Sequence, residues 1–197
     1  MNRPGPSGHG SRLSKLPSHL RAPRRLRIVP LAPEPPHHSL LEWVAGALAA
    51  RLDVPVAVDA VLPAEPDWLS PEGSQLLSNR IIDTLIDRFP LDDEDSSMEW
   101  VLALTAADLR GRGREFVFGE AAMGGGWAVV SVARFGESGP RLNDRLLKEA
   151  LHELGHVAGV PHCDQVGCVM LPSAGIADVD AKSMAFCDSC RLRGDGG

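Results

Sequence analysis

His152, Glu153, His156, Gly159 and His162 form the run H-E-x-x-H-x-x-G-x-x-H, and Cys163 follows at once. Histidines four apart lie on one face of a helix, about one turn from each other. Two imidazoles so placed can grip one Zn²⁺, and Glu153 sits where a carboxylate could take a proton from an attacking water. Gly159 can break the helix and turn the chain back, so that His162 completes a three-ligand set. Three protein ligands leave a fourth position open for water or substrate, the mark of a catalytic zinc.

The motif is specific. With 7 His and 20 Gly in 197 residues, a chance H-E-x-x-H arises in roughly one such chain in seventy. Requiring Gly159 and His162 as well lowers this to roughly one in twenty thousand. The other histidines (His9, His19, His37, His38) all lie near the start of the chain. A core histidine that merely satisfies local hydrogen bonds does not explain three at ligand spacing in an otherwise His-free body.

All four cysteines follow the motif: Cys163, Cys168, Cys187 and Cys190. The spacing C-x4-C, a loop, then C-x2-C reads as a tetrahedral, closed, structural zinc site. Two disulfides or unbound thiols are the alternatives, and disulfides need an oxidising compartment. Because Cys163 adjoins His162, a metal on the cysteines would fix the loop that delivers the third histidine. Met170 lies eight residues after His162. Taken alone, it reads as core filler.

Together these residues resemble the archaemetzincins, whose pattern is HExxHxxGxxH-C-x4-C-x-M, then a spacer and C-x2-C. His152, Glu153, His156, Gly159, His162, Cys163, Cys168, Met170, Cys187 and Cys190 each match. The spacer after Met170 is sixteen residues here, one shorter than the family spacing. Phe118 to Ala121, Ala128 to Arg134 and Lys148 to Ala150 are also similar, and the likeness is strong from Phe116 onward. The resemblance implies a metzincin-type zinc protease fold, of α/β (α+β) class: a mixed twisted sheet with the active-site helix beneath it, and a C-terminal segment holding zinc on four cysteines. It further implies two Zn²⁺ per chain, one catalytic on His152, His156 and His162 and one structural on Cys163, Cys168, Cys187 and Cys190, with a Met-turn at Met170 and hydrolysis of peptides.

Net charge is −6, unevenly spread. Residues 1–33 carry seven Arg and Lys and no acid, leaving 13 basic against 26 acidic side chains, or −13, on the remainder. The first segment is rich in Pro, Gly and Ser without interleaved aromatics. It reads as a basic disordered tail over 1–24 rather than a nucleic-acid arm. Residues 25–197 read as a single catalytic domain, with 163–190 as its structural zinc segment. No apolar run is long enough to cross a membrane. The lack of an export signal and the clustered cysteines point to the cytoplasm. The expected partner is a peptide or protein substrate, and the expected state is a monomer.

Strands are predicted over Arg25–Leu31, Val54–Leu62, Glu99–Ala106, Glu115–Phe118 and Trp127–Phe135. Helices are predicted from Ser39, with a Ser39–Glu42 capping box, to Leu52, over Gln75–Phe89, over Arg141–Ala158 and over Asp178–Phe186. Trp68 is expected to plug the core. Asp92 to Asp95 reads as a solvated acidic loop, lacking the spacing of a calcium loop. Met123-Gly124-Gly125-Gly126 lacks a phosphate-loop lysine and reads as a flexible turn near a cleft.

The expected chemistry is peptide-bond hydrolysis by a zinc-activated water, with Glu153 as general base. The chain has no Tyr, so a charged intermediate must be met by zinc itself or by a cation; Arg134, Lys148 and Lys182 are candidates. No cysteine precedes Cys163, which excludes latency by an upstream thiol. Substrate is expected to add as a strand beside Trp127–Arg134. The alternatives are a zinc-containing peptide-binding module with little turnover, disfavoured by the retained Glu153, and a nucleic-acid-binding zinc protein, disfavoured by the open three-histidine set.

Overall fold

In the computed structural model, residues 23–91, 99–136 and 138–192 are described. Most of the basic tail and the acidic Asp92–Asp95 stretch lie outside them. The strands are β1 (Arg25–Pro30), β2 (Val56–Val58), β3 (Leu76–Leu77), β4 (Glu99–Thr105), β5 (Leu109–Arg110), β6 (Gly119–Ala121) and β7 (Trp127–Ser131). The helices are α1 (His38–Leu52), α2 (Ser78–Arg88), α3 (Pro140–Val157), α4 (Ile176–Ala181) and α5 (Asp188–Leu192). One sheet has the order β2-β1-β4-β7-β6, and β3 pairs with β5 in a second. In the first sheet β6 alone runs antiparallel to its neighbour; the other pairings are parallel.

Strand alternation divides the interior into two layers. Along β4, Trp100, Leu102 and Leu104 point to one face and Val101 and Ala103 to the other. On the first face they meet Ile28, Ala128 and Val130, and α1 and α3 cover them. On the second they meet Val29 and Val129 of the neighbouring strands, and Ile81 and Leu85 of α2 close over them. Strands buried on both sides must be almost wholly apolar, which is why Trp100–Leu104 reads as an unbroken hydrophobic run. In α1, Leu41, Val44, Leu48 and Leu52 recur every three or four residues and form its buried stripe. Trp68 is fully buried, and its indole N–H donates to Thr84 Oγ1 at 2.8 Å.

Several boundaries differ from those predicted. The Ser39 capping box is not made: α1 begins at His38, and the His37 side chain accepts from the Ser39 N–H. Glu42 instead faces His38 at 3.3 Å, one turn back. The strand expected over Val54–Leu62 shrinks to Val56–Val58 at the sheet edge; it starts only after Pro55, which has no N–H to give a ladder. The helix expected from Gln75 starts at Ser78. Gln75 is held by Asp108 and by the Glu115 carbonyl, both at 2.9 Å, and this sets Leu76–Leu77 against Leu109–Arg110 as a strand. The strand placed at Glu115–Phe118 lies instead at Gly119–Ala121; before it, Val117 makes one isolated bridge to Leu109. The strand expected to reach Phe135 stops at Ser131, whose hydroxyl donates to the Ala107 carbonyl and accepts from the Ala133 N–H, turning the chain. The helix expected over Asp178–Phe186 is instead α4, which starts at Ile176 and ends at Ala181, and a further helix that was not predicted, α5, carries Cys190.

Candidate active site and metal centres

The second half of α3 is buried on every side from Glu149 to Val157. This places His152, Glu153 and His156 inside the protein, beneath the β6–β7 edge of the sheet. The helix ends in a Schellman motif. Gly159 sits at φ +88°, its N–H donates to the His156 carbonyl at 2.8 Å, and the Val160 N–H donates to the Gly155 carbonyl at 2.9 Å. Only a residue free to adopt the left-handed region makes this turn cheaply. The reversal brings His162 back over the helix. Its ring centroid lies 5.3 Å from that of His152 and 4.7 Å from that of His156. One ligand atom from each of the three imidazoles lies within 4.8 Å of the others.

Two of the rings are held by backbone. His152 Nδ1 lies 2.8 Å from the Val169 carbonyl, and His156 Nδ1 lies 2.8 Å from the Val160 carbonyl. A carbonyl can only accept, so each Nδ1 carries the proton and each Nε2 presents its lone pair. Burial drives the His152 imidazole down to about 2, helped by the nearby Lys182 charge. Burial lowers His156 and His162 as well. Three neutral, converging imidazoles, two of them preoriented, match the donor chemistry of a zinc site with a position left open.

Met170 is fully buried beneath α3, and a Cβ on Gly155 would overlap its sulfur. The turn at Met170 supplies the Val169 carbonyl to His152, and the Met170 carbonyl accepts from the Cys163 N–H at 3.0 Å. The same turn therefore supports one histidine and the start of the cysteine loop. Cys163, Cys168, Cys187 and Cys190 present their sulfurs within 4.8 Å of one another, and all four are free thiols. The N–H groups of Gln165 and Cys187 donate to Cys163 Sγ and Cys168 Sγ, each at 3.4 Å. Such N–H donors stabilise thiolate. Four mutually close sulfurs match the donor chemistry of a closed tetrahedral zinc.

Glu153 is enclosed, and its carboxyl is pushed well above the usual range by burial first, then by Glu149 and Glu120, against the opposing Lys182 charge. Gly119 of β6 packs directly on it: a Cβ there would stand 2.7 Å from Glu153 Cγ and Oε1. A cleft of about 630 Å³ opens over Glu153 and the three histidines. Because β6 ends the sheet order, it rather than β7 offers the free edge beside this cleft. The strand expectation at Trp127–Arg134 is corrected accordingly: β7 is paired on both sides.

The three cations considered as helpers point elsewhere. Arg134 forms a two-pronged bond with Asp108 at 2.7 Å and lies over the Phe116 ring. Lys148 donates to the Val179 and Asp180 carbonyls. Lys182 is buried, 2.8 Å from Glu149 Oε1 and 3.4 Å from His152 Nδ1, where it supports the site from behind. The cations that line the cleft are Arg112 and Arg114. No motif pointed to them, because the turn that presents them is set by tertiary packing. The glycine turn is also not free: Gly124 and Gly126 take positive φ, and the Gly124 N–H donates to the His156 carbonyl at 2.9 Å.

The fold and the histidine-lined cleft define a protein of the metzincin class. Residues 48–193 match the model of Peptidase family M54. The chain is 46% identical over 90 residues to the archaemetzincin of Archaeoglobus fulgidus, covering 45% of this chain and 56% of that one. To the archaemetzincin of Methanopyrus kandleri it is 42% identical over 117 residues, covering 59% and 63%. The matches thus span about three-fifths of the length of these curated relatives. The crystal structure of the Archaeoglobus fulgidus protein superposes with a TM-score of 0.72 at 31% identity, over 84% of this chain and 97% of that chain. The chain belongs to Peptidase family M54, the archaemetzincins.

Proposed function

We propose that this chain is a zinc-dependent peptidase. His152, His156 and His162 hold a catalytic zinc, and Cys163, Cys168, Cys187 and Cys190 hold a second, structural one. Residues 25–197 act as one catalytic unit, with 163–190 as its zinc-stabilised segment. Four clustered free thiols suit a reducing compartment such as the cytoplasm. The observation that carries the reading is a buried carboxylate, Glu153, set beside three converging imidazoles at the floor of one cleft.

When bound, zinc supplies Lewis acidity that polarises a carbonyl and stabilises developing negative charge. The protein's own groups do the rest. A peptide laid along the free edge of β6 as an added strand presents its backbone above Glu153. The absence of a side chain on Gly119 leaves room for the carboxylate. Glu153 takes a proton from the attacking water and passes it to the leaving amine. The Val169 and Val160 carbonyls hold two imidazoles in one tautomer throughout. The Glu149–Lys182 pair ties α3 to the chain just after α4.

The test compares the zinc-loaded protein with its Glu153→Ala variant on a diverse peptide library, counting zinc in both. Cleavage that falls by roughly 10²- to 10⁴-fold while both metals stay supports the proposal. A zinc-replete protein that cleaves no peptide refutes it and favours a binding module.

A further inference from the structure

The charges at the mouth of the cleft run against those of the rest of the chain. Beyond residue 33 the sequence carries a net −13, yet the side chains exposed at the mouth include Arg112 and Arg114. The acids of the same cleft are withdrawn. Glu149 and Glu153 are buried, with Lys182 on the first. Glu120 accepts from the Ser78 hydroxyl. Neighbouring arginines are also spoken for: Arg110 pairs with Glu72 and Arg134 with Asp108, each at 2.7 Å. Arg112 and Arg114 have no partner among the described residues.

The backbone that presents them is fixed. Arg114 N–H donates to the Gly111 carbonyl at 3.2 Å, closing a tight turn, and Gly113 occupies its third position at φ +69°. Gly111 is packed so closely that a Cβ would stand 2.7 Å from Val117 Cγ1. Gln75 clamps the far side through the Glu115 carbonyl. Arg112 and Arg114 both line the cleft that holds Glu153 and the histidines, and guanidinium is the side chain suited to an anion with planar, two-oxygen geometry.

We infer that the Gly111–Arg114 turn is a specificity element of the peptidase, whose Arg112 and Arg114 receive a carboxylate of the substrate peptide. The inference rests on the peptidase reading for its substrate class. The carboxylate comes from an acidic side chain or from the peptide's own C-terminus. The surrounding negative charge disfavours polyacidic ligands, so one carboxylate in an otherwise neutral peptide is the preferred pattern.

The test measures binding separately from turnover. The zinc-loaded Glu153→Ala protein, with and without Arg112→Glu and Arg114→Glu, is titrated with labelled alanine-based hexapeptides. Glu, Gln or Lys is scanned through each position with the C-terminus amidated, and a further all-alanine pair has a free or an amidated C-terminus. Both arginines are exposed, so the double variant should fold and keep its zinc, which circular dichroism and metal analysis check. The expected result is a roughly two- to tenfold tighter Kd for Glu over Gln at one position, or for the free over the amidated C-terminus. The preference should shrink with salt and reverse in the double variant. The scan and the C-terminal pair tell which carboxylate is read. Equal binding of all peptides, or a preference that survives both substitutions, overturns the inference. Cleavage by the Glu153 protein without any carboxylate preference overturns it while the peptidase reading stands. A reversible carboxylate preference in a protein that never cleaves supports the subsite and removes the peptidase reading.

Discussion

Gly119→Ala separates damage to the site from damage to the fold. Gly119 lies in edge strand β6 and its φ is not in the left-handed region, so alanine meets no backbone strain there. By conformational entropy alone the substitution should stabilise by about 0.4–1 kcal/mol. Packing works against it. The new Cβ would stand 2.7 Å from Glu153 Cγ and Oε1 and 2.8 Å from the Val129 carbonyl. Ordinary van der Waals contact begins near 3.4 Å, so something must move by about 0.7 Å. Val129 sits in β7, paired on both sides, and cannot retreat. Either β6 swings outward or the Glu153 carboxylate turns away. Overpacking of this kind costs about 1–3 kcal/mol, so the net loss of stability is about 0–2.6 kcal/mol, a fall in Tm of at most about 10 °C. Displacing a catalytic group by nearly an ångström costs on the order of 10²-fold in rate. Thermal unfolding, zinc content and kcat/KM on one cleaved peptide, measured on the same preparation, give the answer. The expected pattern is two zincs, a modest fall in Tm and a large fall in kcat/KM. Wild-type kcat/KM with an unchanged Tm would refute the placement of Gly119 against Glu153.

Further outcomes follow from the same geometry. Cys187→Ser should remove one of two zincs and, because Cys163 adjoins His162, lower cleavage as well as Tm; metal analysis showing two zincs, or a lost zinc with unchanged cleavage, would contradict this. The Asp180 carboxyl is held below the usual range, chiefly by its hydrogen bonds to Arg145 at 2.7 and 2.6 Å. Its folded pKa is therefore below the unfolded one, so its contribution is present above about pH 4 and is lost as pH falls through the folded value. Asp180→Asn should flatten the acid limb of a urea-midpoint profile between pH 2 and 5, and an unchanged limb would show that the pair adds nothing.

Short-range pattern made the motif helix and the central strands readable. The apolar run from Trp100 to Leu104 and the three-to-four spacing in α1 need no knowledge of what they pack on. His152 to His162 is equally local, since Gly159 is all that turns the chain. Elements decided by partners distant in sequence were not readable. Leu76–Leu77 carries a helical pattern but pairs with Leu109–Arg110 because Gln75 is anchored across 33 and 40 residues. The stretch expected at the cleft edge, Trp127–Arg134, contains β7, which is longer and more apolar than β6. Its burial between β4 and β6 is the reason it is apolar, and the free edge falls to the short, half-exposed Gly119–Ala121. Lys182, a candidate to meet a charged intermediate, is instead a buried partner of Glu149, a pairing that sequence separation hides. The capping box at Ser39 failed because His37, one residue before α1, already occupies that role.

The central claim is that Glu153 and the three histidines hydrolyse peptide bonds. It is tested most directly by incubating the zinc-loaded protein and its Glu153→Gln variant with a peptide library in ¹⁸O-labelled water. Mass spectrometry should find new C-termini each carrying one ¹⁸O with the Glu153 protein, and none above background with the variant at equal zinc content. Intact peptides in both samples, or the same labelled products at the same rate from the variant, would contradict it.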